Sequence, residues 1–176
     1  SIPLPVIDAP EVEAEVRNVT CSGRNDGAIH IQISNGNGPF DYNWTPGPYD
    51  GLSAPEELPP GIYALTVTDS YGCFSDTSFV VSEASPLFFA CNVASQPTQF
   101  GASDGRVTAS LSGGTPPYQL SWNGPATGTT AIGTAGEATV EGLPAGGYEF
   151  TLTDANGCTI LCEALLENRG CGLGLS

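Results

Sequence analysis

The 176-residue sequence contains no methionine, no lysine and a single histidine, His30. Its fixed positive charges are Arg17, Arg24, Arg106 and Arg169, set against 19 acidic residues for a net charge of −15. A nucleic-acid partner needs clustered Lys and Arg, so this balance argues against one, and anionic membrane surfaces are disfavoured for the same reason. No apolar run reaches the length of a membrane span. Helical periodicity is missing until the last turn or two, and neither G-x-S-x-G nor H-E-x-x-H occurs. The chain begins at Ser1 with no charged-then-apolar leader, which suggests a processed or excised segment whose export signal was removed or lay elsewhere.

What is present is 23 glycines, 15 prolines and six cysteines. With abundant Thr and Ser, this composition suits short strands joined by tight turns. An even number of cysteines without a C-x-x-C pair reads as disulfides made in an oxidising, extracellular compartment, with zinc a poor second. The acidity keeps the surface soluble, and a solvated acidic face is its ordinary reading.

The chain repeats itself. Asp26–Trp44 (DGAIHIQISNGNGPFDYNW) overlays Asp104–Trp122 (DGRVTASLSGGTPPYQLSW) without a gap, sharing Asp-Gly, Ser, Gly, Pro and Trp. Leu58–Cys73 (LPPGIYALTVTDSYGC) matches Leu143–Cys158 (LPAGGYEFTLTDANGC) at nine of sixteen positions. Duplication explains both. The expected organisation is an arm over 1–10, modules over 11–84 and 87–168, and a tail over 169–176. A joint this short implies stacked modules with limited freedom.

Period-two alternation marks the strands: Ile29, Ile31 and Ile33 with Val107, Ala109 and Leu111; Phe40, Tyr42 and Trp44 with Tyr118, Leu120 and Trp122; Tyr63, Leu65 and Val67 with Tyr148, Phe150 and Leu152. A last strand follows over Phe74–Val81 and Thr159–Leu166. Asp69-Ser70-Tyr71-Gly72 and Asp154-Ala155-Asn156-Gly157 place Asp first and Gly fourth, as type I turns prefer. Leu-x-x-Gly-x-Tyr before the penultimate strand is similar to a tyrosine corner. The expected fold class is all-β, two tandem immunoglobulin-like antiparallel sandwiches, with a small closed barrel as the alternative. Cys21 with Cys73 and Cys91 with Cys158 are the expected disulfides, leaving Cys162 and Cys171 to staple the tail; a switched connectivity among Cys158, Cys162 and Cys171 stays open.

These motifs resemble the SprB repeat of Bacteroidota surface proteins, whose pattern runs Cys, Asp-Gly, a strand, Gly-Gly-x-x-Pro-Tyr-x-x-x-Trp, then Leu-x-x-Gly-x-Tyr-x-x-x-Val-x-Asp-x-x-Gly-Cys. The second copy is closer, with Gly113-Gly114-Thr115-Pro116-Pro117-Tyr118 and Trp122. The first has Phe40 where the pattern has Tyr. The resemblance implies a secreted or cell-surface setting and a spacer, adhesive or fibre-forming role, and it brings no catalytic residues.

Candidate sites follow from residue type. Asp26, Asp69, Asp104 and Asp154 recur at strand ends and could supply oxygens to Ca²⁺ as a cofactor, although turn chemistry alone explains Asp69 and Asp154. Trp44, Trp122, Tyr42 and Tyr118 could form a sugar platform, but their spacing is that of a core-facing strand. Tyr49 and Tyr71 fall in turns and are better candidates for exposed contact. His30 has no counterpart in the second copy, and no enzyme activity is expected. The apolar arm, with Ile2, Leu4, Val6 and Ile7, is suited to β-augmentation of a neighbour; otherwise it packs on its own module or leads to a preceding one. The expected partners are copies of the chain, adjacent modules of a larger surface protein, or surface glycans.

Overall fold

A computed structural model describes residues 8–168. The chain divides into two compact units, Ser1–Ala84 and Ser85–Ser176. The described residues contain strands and turns and no helix, so none is long and apolar enough to cross a membrane.

In the first unit, β1 (Glu11–Arg17) pairs antiparallel with β2 (Ala28–Ser34), while β3 (Asp41–Thr45), β4 (Gly61–Thr68) and β5 (Phe74–Val81) form a second antiparallel sheet in the order β3-β4-β5. The second unit repeats the plan with β6 (Phe88–Ser95), β7 (Gly105–Ser112) and β10 (Gly136–Leu143) in the order β10-β7-β6. Against them stand β8 (Tyr118–Asn123), β9 (Gly128–Ile132), β11 (Gly146–Thr153) and β12 (Thr159–Leu166) in the order β12-β11-β8-β9. Each unit is thus a two-sheet antiparallel sandwich of immunoglobulin-like type.

Strand alternation builds the two cores. Ile29, Ile31, Trp44, Leu58, Tyr63, Leu65, Val67 and Val81 are buried in the first; Val107, Leu111, Tyr118, Leu120, Tyr148, Phe150 and Leu152 are buried in the second. Alternate residues face outward because successive side chains of a strand point to opposite faces. The two tyrosine corners are formed. Tyr63 donates its hydroxyl to the Pro59 carbonyl at 2.8 Å and Tyr148 to the Pro144 carbonyl at 3.0 Å, so each buried ring keeps its polar tip satisfied. Burial raises the pKa of both phenols above the ordinary value, with Tyr49 adding to the effect at Tyr63.

The repeat is unequal between its two blocks: 13 residues separate Trp44 from Leu58 and 20 separate Trp122 from Leu143. In the second unit this added length is largely strand rather than loop. It supplies β9 and most of β10. In the shorter first unit, the segment after β3 folds back on its edge: Gly51 N–H donates to the Tyr42 carbonyl at 2.7 Å and Trp44 N–H to the Asp50 carboxylate at 2.6 Å. Residues 53–58 then run along β2, with Ile29 N–H bonded to the Pro55 carbonyl and Ile31 N–H to the Ser53 carbonyl.

The cysteines pair differently from the expected scheme. Cys91 bonds to Cys162, with Cα atoms 5.9 Å apart, and Cys73 is a free thiol. Cys21 and Cys158 each take part in a disulfide as well, and Cys171 lies outside the described residues. Geometry excludes the Cys21–Cys73 pair. Val19 N–H and Gly23 N–H reach Ser82 and Glu83, just beyond the last residue of β5, whereas Cys73 immediately precedes its first residue. At ~3.3 Å per residue a strand of that length spans roughly 26 Å, against the ~5.5 Å that a disulfide allows between Cα atoms. Cys91 and Cys162 instead sit within β6 and β12, the facing edge strands of the two sheets, while Cys158 lies in the turn before β12, four residues too early. The residue equivalent to Cys91 in the first unit is Ala14, opposite Ile31 as Cys91 is opposite Ala109; Cys21 belongs to the β1–β2 loop.

Candidate functional site

The four recurrent aspartates fall into two pairs of equivalent structures. Asp69 is 5% exposed; one carboxylate oxygen accepts the N–H groups of Tyr71 and Cys73, both at 2.9 Å, and the other accepts Asn37 N–H at 3.2 Å. Asp154, also 5% exposed, takes Asn156 N–H, Cys158 N–H and Thr115 N–H, each at 2.9 Å. Both therefore close their hairpin turn and tie it to the loop between the preceding core strands. Ser70 N–H and Ala155 N–H complete the link by donating to the carbonyls of Asn37 and Thr115. The Asp69–Gly72 and Asp154–Gly157 turns carry the i to i+3 bond, with φ near +80° at Gly72 and Gly157.

Asp26 and Asp104 anchor the loop at the other end of the sandwich. The Thr20 hydroxyl and backbone N–H both donate to Asp26, and those of Thr98 donate to Asp104 at 2.7 and 3.0 Å. Donation from the Thr hydroxyl, then from its N–H, holds each carboxyl below the ordinary carboxylate pKa; Arg24 adds a smaller effect at Asp26. The Thr-x5-Asp spacing, present in both copies, is the signal that sequence reasoning missed. All four carboxylates are thus occupied by N–H or O–H donors, and the described residues bring no three His, Cys, Asp or Glu side chains together as a metal would need.

The aromatics divide by burial. Trp44 is buried, with its indole N–H on the Leu52 carbonyl at 2.9 Å, and Tyr118 is buried with its hydroxyl on the Gly113 carbonyl at 2.6 Å. Trp122 is half-buried against Gly128, where a Cβ would lie 2.3 Å from the indole, so only glycine fits there. Tyr42 packs on the first core. Tyr49 meets Tyr63 edge-on, with ring centroids 5.9 Å apart, and belongs to that core's margin. Tyr71, 68% exposed at the β4–β5 turn, is the candidate contact residue that does face solvent. His30 is exposed on β2 opposite Glu15, in a shallow hollow shared with Arg17 and Glu56. On the second unit, Ser121, Trp122, Asn123, Thr129, Glu149 and Thr151 line an open hollow of about 390 Å³ across β8, β9 and β11. The arm residues Ile2, Leu4, Val6 and Ile7 lie outside the described residues.

Three solved structures are similar at low identity. The chain is 16% identical to a C-terminal 282-residue fragment of intimin, solved with the intimin-binding domain of the translocated intimin receptor; the TM-score is 0.46, with 89% of this chain and 64% of that fragment's length covered. It is 11% identical to the first two immunoglobulin domains of DIP-gamma (TM-score 0.41; 92% and 98% covered). It is 14% identical to the N-terminal eight immunoglobulin domains of Down syndrome cell adhesion molecule (TM-score 0.39; 92% and 25% covered). No curated protein matches the sequence. The SprB repeat family matches residues 14–48 and 92–127, which span β1 to β3 of the first unit and β6 to β8 of the second. The match thus falls once in each unit, on its first half, and the chain is similar to two tandem SprB repeats.

Proposed function

We propose that this chain is a non-enzymatic extracellular structural or adhesive protein, a repeating subunit of a surface fibre or a rigid module of a surface adhesin. In this reading the arm, through Ile2, Leu4, Val6 and Ile7, contacts a neighbouring copy or an adjacent module, and no cofactor takes part. The observation that carries it is the use to which both copies put their recurrent polar residues. Asp26, Asp69, Asp104 and Asp154 all tie loops to the scaffold, and do so in the same way in both copies of the repeat. Selection for a stiff, repeated body accounts for that pattern, and reaction chemistry does not. Negative-stain electron microscopy of the chain with and without residues 1–10 tests it. Filaments that vanish with the arm support the fibre subunit; dispersed two-module particles in both samples remove it.

A second reading rests on Tyr71, exposed at a turn tip. It makes the chain a carbohydrate- or ligand-binding module, with calcium as an aid. Glycan-array binding that disappears in Tyr71→Ala supports this reading, and an array with no signal removes it.

A further inference from the structure

The open edges of the two units are not alike. A strand edge presents unpaired N–H and C=O groups to any other strand, and proteins ordinarily blunt it with charge, proline, bulges or cover. In the first unit β1 lies against β5, β3 is capped by Asp50 and Gly51, and the segment along β2 carries Pro55, Glu56 and Glu57. In the second, β6 and β12 are joined by Cys91–Cys162, and β10 carries Glu137 and Glu141 with an irregular register between Val140 and Leu143. The exception is β9. Gly128-Thr129-Thr130-Ala131-Ile132 is the last strand of its sheet, has no charge and no proline, and exposes Thr129, Thr130 and Ala131. Among the described residues its only strand partner is β8.

The arm has complementary chemistry. In an extended strand, residues i and i+2 direct their backbone groups to the same edge and their side chains to the same face. In Ser1-Ile2-Pro3-Leu4-Pro5-Val6-Ile7, residues 2, 4 and 6 offer three N–H donors on one edge and three large apolar side chains on one face. Pro3 and Pro5 remove donors from the opposite edge, so such a strand pairs on one side and blocks growth on the other. The seven residues are enough to cover the five of β9, and both segments lack acidic side chains. In a chain of net charge −15, uncharged segments are where two copies approach without like-charge repulsion.

We infer that the exposed edge of β9 is the acceptor for residues 1–7 of a second copy, added as a one-sided fifth strand to the β12-β11-β8-β9 sheet. This rests on the arm-mediated assembly proposed above. Because donor and acceptor lie in different units of the chain, each copy gives at one site and receives at another, and the contact is heterologous.

Hydrogen exchange of the full chain, measured at dilute and concentrated conditions and read beside sedimentation velocity, tests the inference. The expected result is concentration-dependent association in which the amides of Gly128–Ile132 that do not bond to β8 become protected. That protection is lost in a chain lacking residues 1–7 and in Thr129→Glu/Ala131→Glu, while the latter keeps its thermal midpoint. Arm-dependent association with protection elsewhere overturns β9 as the acceptor and leaves the assembly reading standing. No arm-dependent association overturns both.

Discussion

The carboxylate of Asp154 accepts the backbone N–H of Thr115 across 39 residues of chain at 2.9 Å, and Asp69 holds Asn37 in the same way in the first unit. Each link joins the last hairpin turn to the loop between the second and third strands of its unit, so a single buried carboxylate closes one end of a sandwich. Removing it leaves three N–H donors without their acceptor. Hydrogen bonds to charged groups contribute about 1.5–3 kcal/mol, and buried donors left unpaired are costly, so Asp154→Ala is expected to destabilise the second unit by about 3 kcal/mol. Asp69→Ala should do the same in the first. Urea unfolding of each variant, read as a change in midpoint at unchanged slope, measures it.

The Cys91–Cys162 disulfide closes a separation of 71 residues and joins the edges of the two sheets. The chain-entropy model assigns such a link about 4 kcal/mol, so Cys91→Ala/Cys162→Ala should lower the stability of the second unit by about that amount in denaturant unfolding.

The first unit has room for the same staple. Ala14 lies opposite Ile31 and Thr77 opposite Leu65, the register positions that Cys91 and Cys162 hold against Ala109 and Phe150. Ala14→Cys/Thr77→Cys is therefore expected to oxidise to a disulfide and raise the thermal midpoint of the first unit. A reduced pair after oxidation, by mass spectrometry under non-reducing conditions, would show that the two edges stand further apart than in the second unit.

Acid should loosen both units through Asp26 and Asp104. Their folded pKa values lie below the ordinary 3.8, so the folded state holds the ionised form more strongly than the unfolded chain does. The resulting stability is complete above the unfolded pKa and is lost as pH falls through the folded one. Thermal midpoints should accordingly drop below about pH 4, and less steeply in Asp26→Asn/Asp104→Asn. Equal acid sensitivity in that variant would assign the effect to other carboxylates.

Cys73 should be the described cysteine that reacts with iodoacetamide in the folded, unreduced protein, since it alone among them carries a free thiol and it is partly exposed. Peptide mapping after alkylation reads this directly. A Cys21–Cys73 cross-linked peptide would contradict the separation of the two along β5.

Much of this molecule was determined by local sequence. Strand alternation at Ile29–Ile33 and Tyr148–Leu152, the Asp-x-x-Gly turns, the tyrosine corners and the duplication depend on interactions between residues near in the chain, and each leaves a short-range signature that one copy confirms in the other. The edges and the staples were decided only by tertiary structure. Nothing near Cys91 shows that Cys162 lies across from it, because that pairing depends on which edge strands of two sheets face each other. Nothing in the unequal spacing after Trp44 and Trp122 distinguishes a capping loop from an added strand, because the same edge of β3 or β8 can be satisfied by Asp50 and Gly51 or by Gly128–Ile132. Contacts between chain segments far apart in sequence carry no period, and only packing selects among them.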